Sequence, residues 1–168
     1  TYARTSQWDS ASARPADELF AVAQVRPLKP WQYGTLLKQA TGNPDRLPAD
    51  LSTEEFDQRI EQLHNAGRAL GGLFETPHDD FQVGVDEALL FANGERIAKE
   101  LLRDGGDSLL AKLEKLPDEQ AVVETASWSI LSRPPTADEQ TLLSEFLQTR
   151  SDRAADARRH LVWALLTS

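Results

Sequence analysis

The chain has 168 residues, 40% of them hydrophobic and 27% charged, which is material for one core and too apolar for wholesale disorder. Its 27 acidic and 18 basic side chains leave a formal charge of -9, which repels a phosphate backbone, and no run of Lys or Arg in the sequence offers a local positive field; nucleic acid is excluded as a partner. The absence of cysteine excludes disulfides, thiolate-bound zinc, iron–sulfur clusters, covalent haem attachment and thiol nucleophiles together.

No apolar run approaches the roughly 20 residues of a bilayer span, and residues 1–5 do not form a signal peptide. The chain lacks methionine even at position 1, and its last apolar helix stops at Ser168 without a polar tail. Both features give the expectation of a processed chain or a piece of a longer one.

Along nearly every periodic segment the apolar residues recur at three and four rather than two, so the predicted elements are helices and strand signals are nearly absent. The first stretch, through Arg14-Pro15, is polar and rich in Ser and Ala, and residues 16–23 give a short helix before Arg26-Pro27. Lys29-Pro30-Trp31-Gln32 starts a helix, because proline at the first helical position loses no hydrogen bond and presets φ. That helix runs to Thr41 with Gly42 as its stop, and Trp31, Leu36 and Leu37 are its expected buried face. After a loop over residues 43–48, Ser52-Thr53-Glu54-Glu55 has the capping-box form, with Phe56, Ile60 and Leu63 on one face of the helix it opens. This helix weakens at Gly67 and ends near Gly71-Gly72; residues 73–84, with Pro77, read as the longest irregular segment.

From Val85 the pattern Ala88, Leu89, Ala92 is helical, Asn93-Gly94 ends or bends it, and Ile97, Leu101 and Leu102 resume the period before Gly105-Gly106. A short helix over residues 109–116 starts at Asp107 or Ser108, and Pro117-Asp118-Glu119 opens another that carries Val122, Ala126 and Ile130. In Leu131-Ser132-Arg133-Pro134-Pro135-Thr136 the two prolines force extended backbone, and Thr136 with Glu139 forms a second capping box leading into Leu142, Leu143, Phe146 and Leu147. Arg133, Pro134, Pro135, Thr136 and Glu139 therefore read as a structural corner, with Arg133 tethered by a neighbouring carboxylate or by helix C-terminal carbonyls. The alternative, a polyproline ligand, lacks a second spaced proline. A final helix from about Asp152 carries Leu161, Ala164 and Leu165. The sum is an all-α fold, a single compact domain over residues 1–168 of about eight short helices with short loops.

Sites are sparse in this pattern. The histidines are His64, His78 and His160, and His78-Asp79-Asp80 is the only tight His/Asp group; adjacent residues converge on one ion only in a special loop, and the aspartates equally suit a helix start. His78, Asp79 and Asp80 are thus weak metal candidates, and no catalytic or cofactor-binding residue is assigned. The carboxylate pairs Glu54/Glu55, Asp79/Asp80 and Asp86/Glu87 diverge by about 100° on a helix, which suits solvated faces better than an acid and a base. There is no G-x-S-x-G, Walker loop or G-x-G-x-x-G. Trp8, Trp31, Tyr33, Trp128 and Trp163 offer rings on which a sugar or base could stack, but Trp31, Trp128 and Trp163 lie within helical patterns and read as core or domain-interface rings. Arg159, one turn before Trp163, is placed for a cation–π contact.

Taken together, several spaced motifs resemble a known family: residues 2–6; Arg26-Pro27-Leu28-Lys29-Pro30-Trp31-Gln32 with Leu36-Leu37 and Ala40-Thr41-Gly42; Glu87-Ala88-Leu89-Leu90 with Asn93-Gly94; Leu131-Ser132-Arg133-Pro134-Pro135-Thr136 with Glu139; and Trp163-Ala164-Leu165-Leu166-Thr167-Ser168. This set is similar to the C-terminal half of the planctomycete family called domain of unknown function 1553. The resemblance spans nearly the whole chain, is most specific at Leu-Ser-Arg-Pro-Pro-Thr and Trp-Ala-Leu-Leu, and is weak over residues 43–83. It implies a long exported protein with a companion domain of unknown function 1549 upstream and often a planctomycete-type cytochrome c domain at the N-terminus. Any haem would then belong to a missing upstream domain, since Cys-x-x-Cys-His has no counterpart here. Family members continue Asn-Ser-x-Glu-Phe where this chain has Thr167-Ser168 and stops.

The leading expectation is a non-catalytic helical accessory or protein-interaction domain at the cell envelope, partnered by upstream domains of the same polypeptide and by another envelope protein. Its rival is part of a hydrolase or redox system acting on polysaccharide at the envelope, with the weakly matching middle lining a site that the upstream half completes. A third reading is a segment that only completes its neighbour's fold.

Overall fold

The computed structural model describes residues 28–74 and 95–167, and the fold is given for these. They contain seven α-helices: α1 (Pro30–Ala40), α2 (Thr53–Gly71), α3 (Glu95–Leu101), α4 (Leu109–Leu113), α5 (Glu119–Leu131), α6 (Ala137–Gln148) and α7 (Ala154–Leu166). One-turn 3-10 helices at Pro44–Arg46 and Ser151–Arg153 join them, and the described residues hold no strand beyond a single antiparallel bridge between Gly42 and Ser108. The fold is all-α. The predicted helices over residues 16–23 and 85–92, and the loop over residues 75–84, lie outside the described residues.

Local chemistry sets the helix starts. Pro30 sits in the first turn of α1, where the Lys29 amide donates to Gln32 Oε1 at 2.9 Å. At α2 the Glu55 amide donates to Ser52 Oγ at 3.3 Å and the Ser52 amide to Glu55 Oε2 at 3.1 Å, a reciprocal box that satisfies two orphan donors. Ser108 caps α4 by accepting from the Ala111 amide, and Asp118 caps α5 by accepting from the Ala121 amide.

Two apolar clusters form the core. One gathers Leu37, Leu70, Phe74, Ile97 and Leu101 from α1, α2, the turn after α2 and α3; Tyr33 leans on the Phe74 ring with centroids 5.1 Å apart. The other gathers Leu109, Leu113, Val123, Ala126, Leu161 and Val162 with their neighbours from α4 to α7. Leu166 at the end of α7 packs against both clusters, and Trp163 one turn earlier packs against the first. Helix α7 is thus the strut between them.

Helices α1 and α2 cross with backbone against backbone. A Cβ on Gly34 would lie 2.7 Å from the Gly71 amide, one on Gly67 2.6 Å from Thr35 Cα, and one on Gly71 2.8 Å from Trp31 Cα. Helix α2 ends at Gly71, as the sequence leads one to expect, and runs through Gly67, where the absence of a side chain admits the neighbouring backbone. The same crossing turns α1 so that Gly34 and Leu37 face inward, while Trp31 and Leu36, expected inside, are 42% and 50% exposed. Phe56 and Leu142 also face outward; on their helices Leu63 and Leu147 take the buried places. No described helix is long and apolar enough to cross a membrane.

Candidate functional site

The end of α1, the turn after it, α2 and the segment that leaves α3 enclose a cleft of about 790 Å³. Its geometry begins with backbone. The Leu109 amide donates to the Thr41 carbonyl at 2.9 Å and the Asn43 amide to the Asp107 carbonyl at 3.3 Å, tying the end of α1 to the start of α4. Asn43 Oδ1 then accepts from the Asp45 amide at 3.0 Å and sets the 3-10 turn that presents Arg46.

Arg46 is the centre of this site. Its Nη1 donates to the Lys38 carbonyl at 3.3 Å, and the guanidinium lies against Gly42, where a Cβ would come within 2.8 Å of Cζ. Gly42 is therefore needed for this close approach. Arg46 Nη2 is shielded from solvent and has no acceptor among the described residues. Burial pushes the guanidinium pKa down, and the nearby Asp107 opposes that shift, though an arginine stays charged throughout.

The other charges of the cleft divide into paired and unpaired groups. Lys38 is bonded to Glu100 and Lys112 to Asp45. Arg59 donates to the Arg46 carbonyl and lies in the field of Glu55, one turn before it and outside the cleft lining, and Arg103 makes no ion pair among the described residues. Of the described carboxylates that line the cleft, Asp107 is the one no lysine holds, and its charge acts on Arg46. No Lys/Arg run in the sequence signals this arrangement, because the fold collects cations from positions 38, 46, 59 and 103. What the set can do is hold and orient an oxyanion.

The corner after α5 is built as a closed loop of bonds. Arg133 Nη1 and Nη2 donate to Glu139 Oε2 and Oε1 at 2.8 and 2.7 Å, Nη1 also donates to the Pro134 carbonyl at 3.0 Å, and the Thr136 amide donates to Glu139 Oε2 at 2.7 Å. The bidentate Arg133 bond, followed by the backbone bond from Thr136, lowers the Glu139 pKa to about 2. Glu139 in turn raises the pKa of Arg133. Ser132, which ends α5, has φ 56°, a left-handed conformation at a position where glycine is usual. Pro134 and Pro135 then carry the chain into the capped start of α6.

The remaining residues singled out in the sequence are dispersed. Trp8, His78, Asp79, Asp80, Asp86 and Glu87 lie outside the described residues. His64 and His160 are exposed on α2 and α7, and Glu55 is engaged by the Ser52 cap. Among the described residues no group of three or more His, Asp or Glu could hold a metal ion. Trp163 is partly buried against the first cluster, whereas Trp31 and Trp128, expected as core or interface rings, are 42% and 52% exposed. Arg159 donates to Asp104 at 2.7 Å and to Asp156 at 3.2 Å, and it is Arg150 that lies over a ring, 4.2 Å from the centre of Phe146.

Fold and site together define an all-α domain with a cation-lined cleft at one end and a pinned proline corner at the other helix pair. No family model, curated protein or solved structure matches the chain.

Proposed function

We propose that the chain is a non-catalytic helical accessory domain that docks onto the upstream part of its own polypeptide, within an exported, multidomain protein of the domain of unknown function 1553 type at the cell envelope. The observation that carries this reading is the exposure of Trp31 and Trp128, two of the four tryptophans, on helices whose inner faces are filled by other residues. Trp128 is 52% exposed while Val122, Val123, Ala126 and Ser127 of the same helix are buried, so half of the ring lies outside the core it flanks. Covering the exposed half of such a ring removes about 100 Å² from water and is worth about 2.5 kcal/mol, the size of an interface hot spot. The resemblance at Leu131 to Thr136 and at Trp163 to Leu166 supplies the partner, the upstream half of the same protein.

The test is association of this chain with the separately produced upstream segment, measured by calorimetry. The wild-type chain binds, and Trp128→Ser, which leaves the buried Val122, Val123, Ala126 and Ser127 of α5 in place, weakens binding by at least about tenfold. Equal affinity of the variant and the wild type would remove the support for docking through this ring.

A further inference from the structure

We propose that the cleft around Arg46 is a binding site for the carboxylate of a small organic acid, independent of the docking face at Trp128. Four observations converge on it. In a chain of net charge -9, three guanidinium groups, Arg46, Arg59 and Arg103, line one cleft in which Asp107 is the one described carboxylate that no lysine holds, with Glu55 acting on Arg59 from outside the lining. The two other acids of the cleft, Asp45 and Glu100, are each held by a lysine, which keeps them from the guanidinium groups. Arg46 Nη2 has no acceptor among the described residues, and a buried donor left so costs free energy that an oxyanion in the cleft would recover. The volume of about 790 Å³ fits a small molecule.

The chemistry favours carboxylate over phosphate. A guanidinium fork matches the two coplanar oxygens of a carboxylate, and three arginines less Asp107 leave two positive charges among the lining residues, which the two carboxylates of a dicarboxylic acid balance. A phosphate concentrates both charges on one centre beside Asp107, whereas a dicarboxylate spreads them along its carbon chain. Arg46 Nη2 is shielded in the ligand-free chain, so binding swings the guanidinium about its terminal torsions, away from Gly42 and toward the oxyanion.

The experiment is an NMR titration of the isotopically labelled chain with glutarate, and with inorganic phosphate and sodium chloride at matched ionic strength. Glutarate gives saturable shifts confined to the Gly42, Asn43 and Asp107 amides and the Arg46 side chain. Arg103→Gln, an exposed substitution that leaves the core intact, weakens binding by about tenfold, and Arg46→Lys does the same by keeping the charge and losing the fork. The proposal is overturned by shifts that rise linearly and spread over the surface as they do with sodium chloride, by an Arg103→Gln variant that titrates like the wild type, or by phosphate binding more tightly than glutarate.

Discussion

Replacing Gly67 by alanine puts one methyl group into the seam between α1 and α2, 2.6 Å from Thr35 Cα and 2.7 Å from the Thr35 nitrogen. Carbon atoms in contact sit about 3.5–4.0 Å apart, so the two helices must separate by about 1 Å. The nearest atom, Thr35 Oγ1, can rotate away, but Thr35 Cα and N are backbone with no rotamer in which to retreat, which places the overpacking cost near the upper end of its usual range, about 3 kcal/mol. Alanine returns about 1 kcal/mol as the better helix former. The net expectation is a loss of about 2 kcal/mol, read by urea unfolding followed by circular dichroism as a lower midpoint at unchanged slope. Gly71→Ala has the same sign, and the double variant costs less than the sum of the two, because one separation of the helices relieves both clashes. Gly72→Ala is the control: its Cβ would lie 3.6 Å from the nearest atom, an ordinary contact, and its stability equals or slightly exceeds that of the wild type. A Gly67→Ala protein as stable as the Gly72→Ala protein would refute the backbone-on-backbone crossing.

Other substitutions probe the caps and the corner. Ser132→Gly relieves a left-handed serine at φ 56° and stabilises by about 0.5–1 kcal/mol after the entropic cost of glycine, whereas Ser132→Val destabilises; a Gly variant with a lower urea midpoint would contradict the strain. Ser52→Ala removes the cap of α2 and costs about 1 kcal/mol, visible in the same assay. The Glu139 carboxyl, held at a pKa of about 2 in the folded chain against 4.5 ordinarily, contributes stability that is complete above 4.5 and is lost as pH falls through about 2. The thermal midpoint of the wild type therefore falls more steeply across that window than that of Glu139→Gln, and parallel curves would show that the Arg133 bond adds nothing.

The legible parts of the fold were those whose chemistry is local. Pro30, the Ser52/Glu55 and Thr136/Glu139 boxes and the Arg133 to Thr136 corner each lie within a few residues of sequence, and each places its element where the structure has it. The inward faces were less legible. Trp31, Leu36 and Phe56 fit a helical apolar stripe yet face water, because the crossing of α1 and α2 is set by Gly34, Gly67 and Gly71, which carry no hydrophobic signal; on α6 Leu142 faces water while Leu147 is buried. The cleft was not legible at all. Lys38, Arg46, Arg59 and Arg103 are separated in sequence by 8, 13 and 44 positions and each is unremarkable alone; their convergence is a property of how α1, α2 and the segment after α3 meet. Arg150 rather than Arg159 stacks on a ring for a related reason, since Asp104, 55 residues away, competes for Arg159.

The accessory-domain account rests most directly on whether Trp128 is covered in the intact protein. Hydroxyl-radical footprinting of the full-length polypeptide and of this chain alone measures that exposure at the same residue. The account predicts Trp128 oxidation several-fold slower in the full-length protein, with the partly buried Trp163 unchanged between the two. Equal oxidation of Trp128 in both would contradict it.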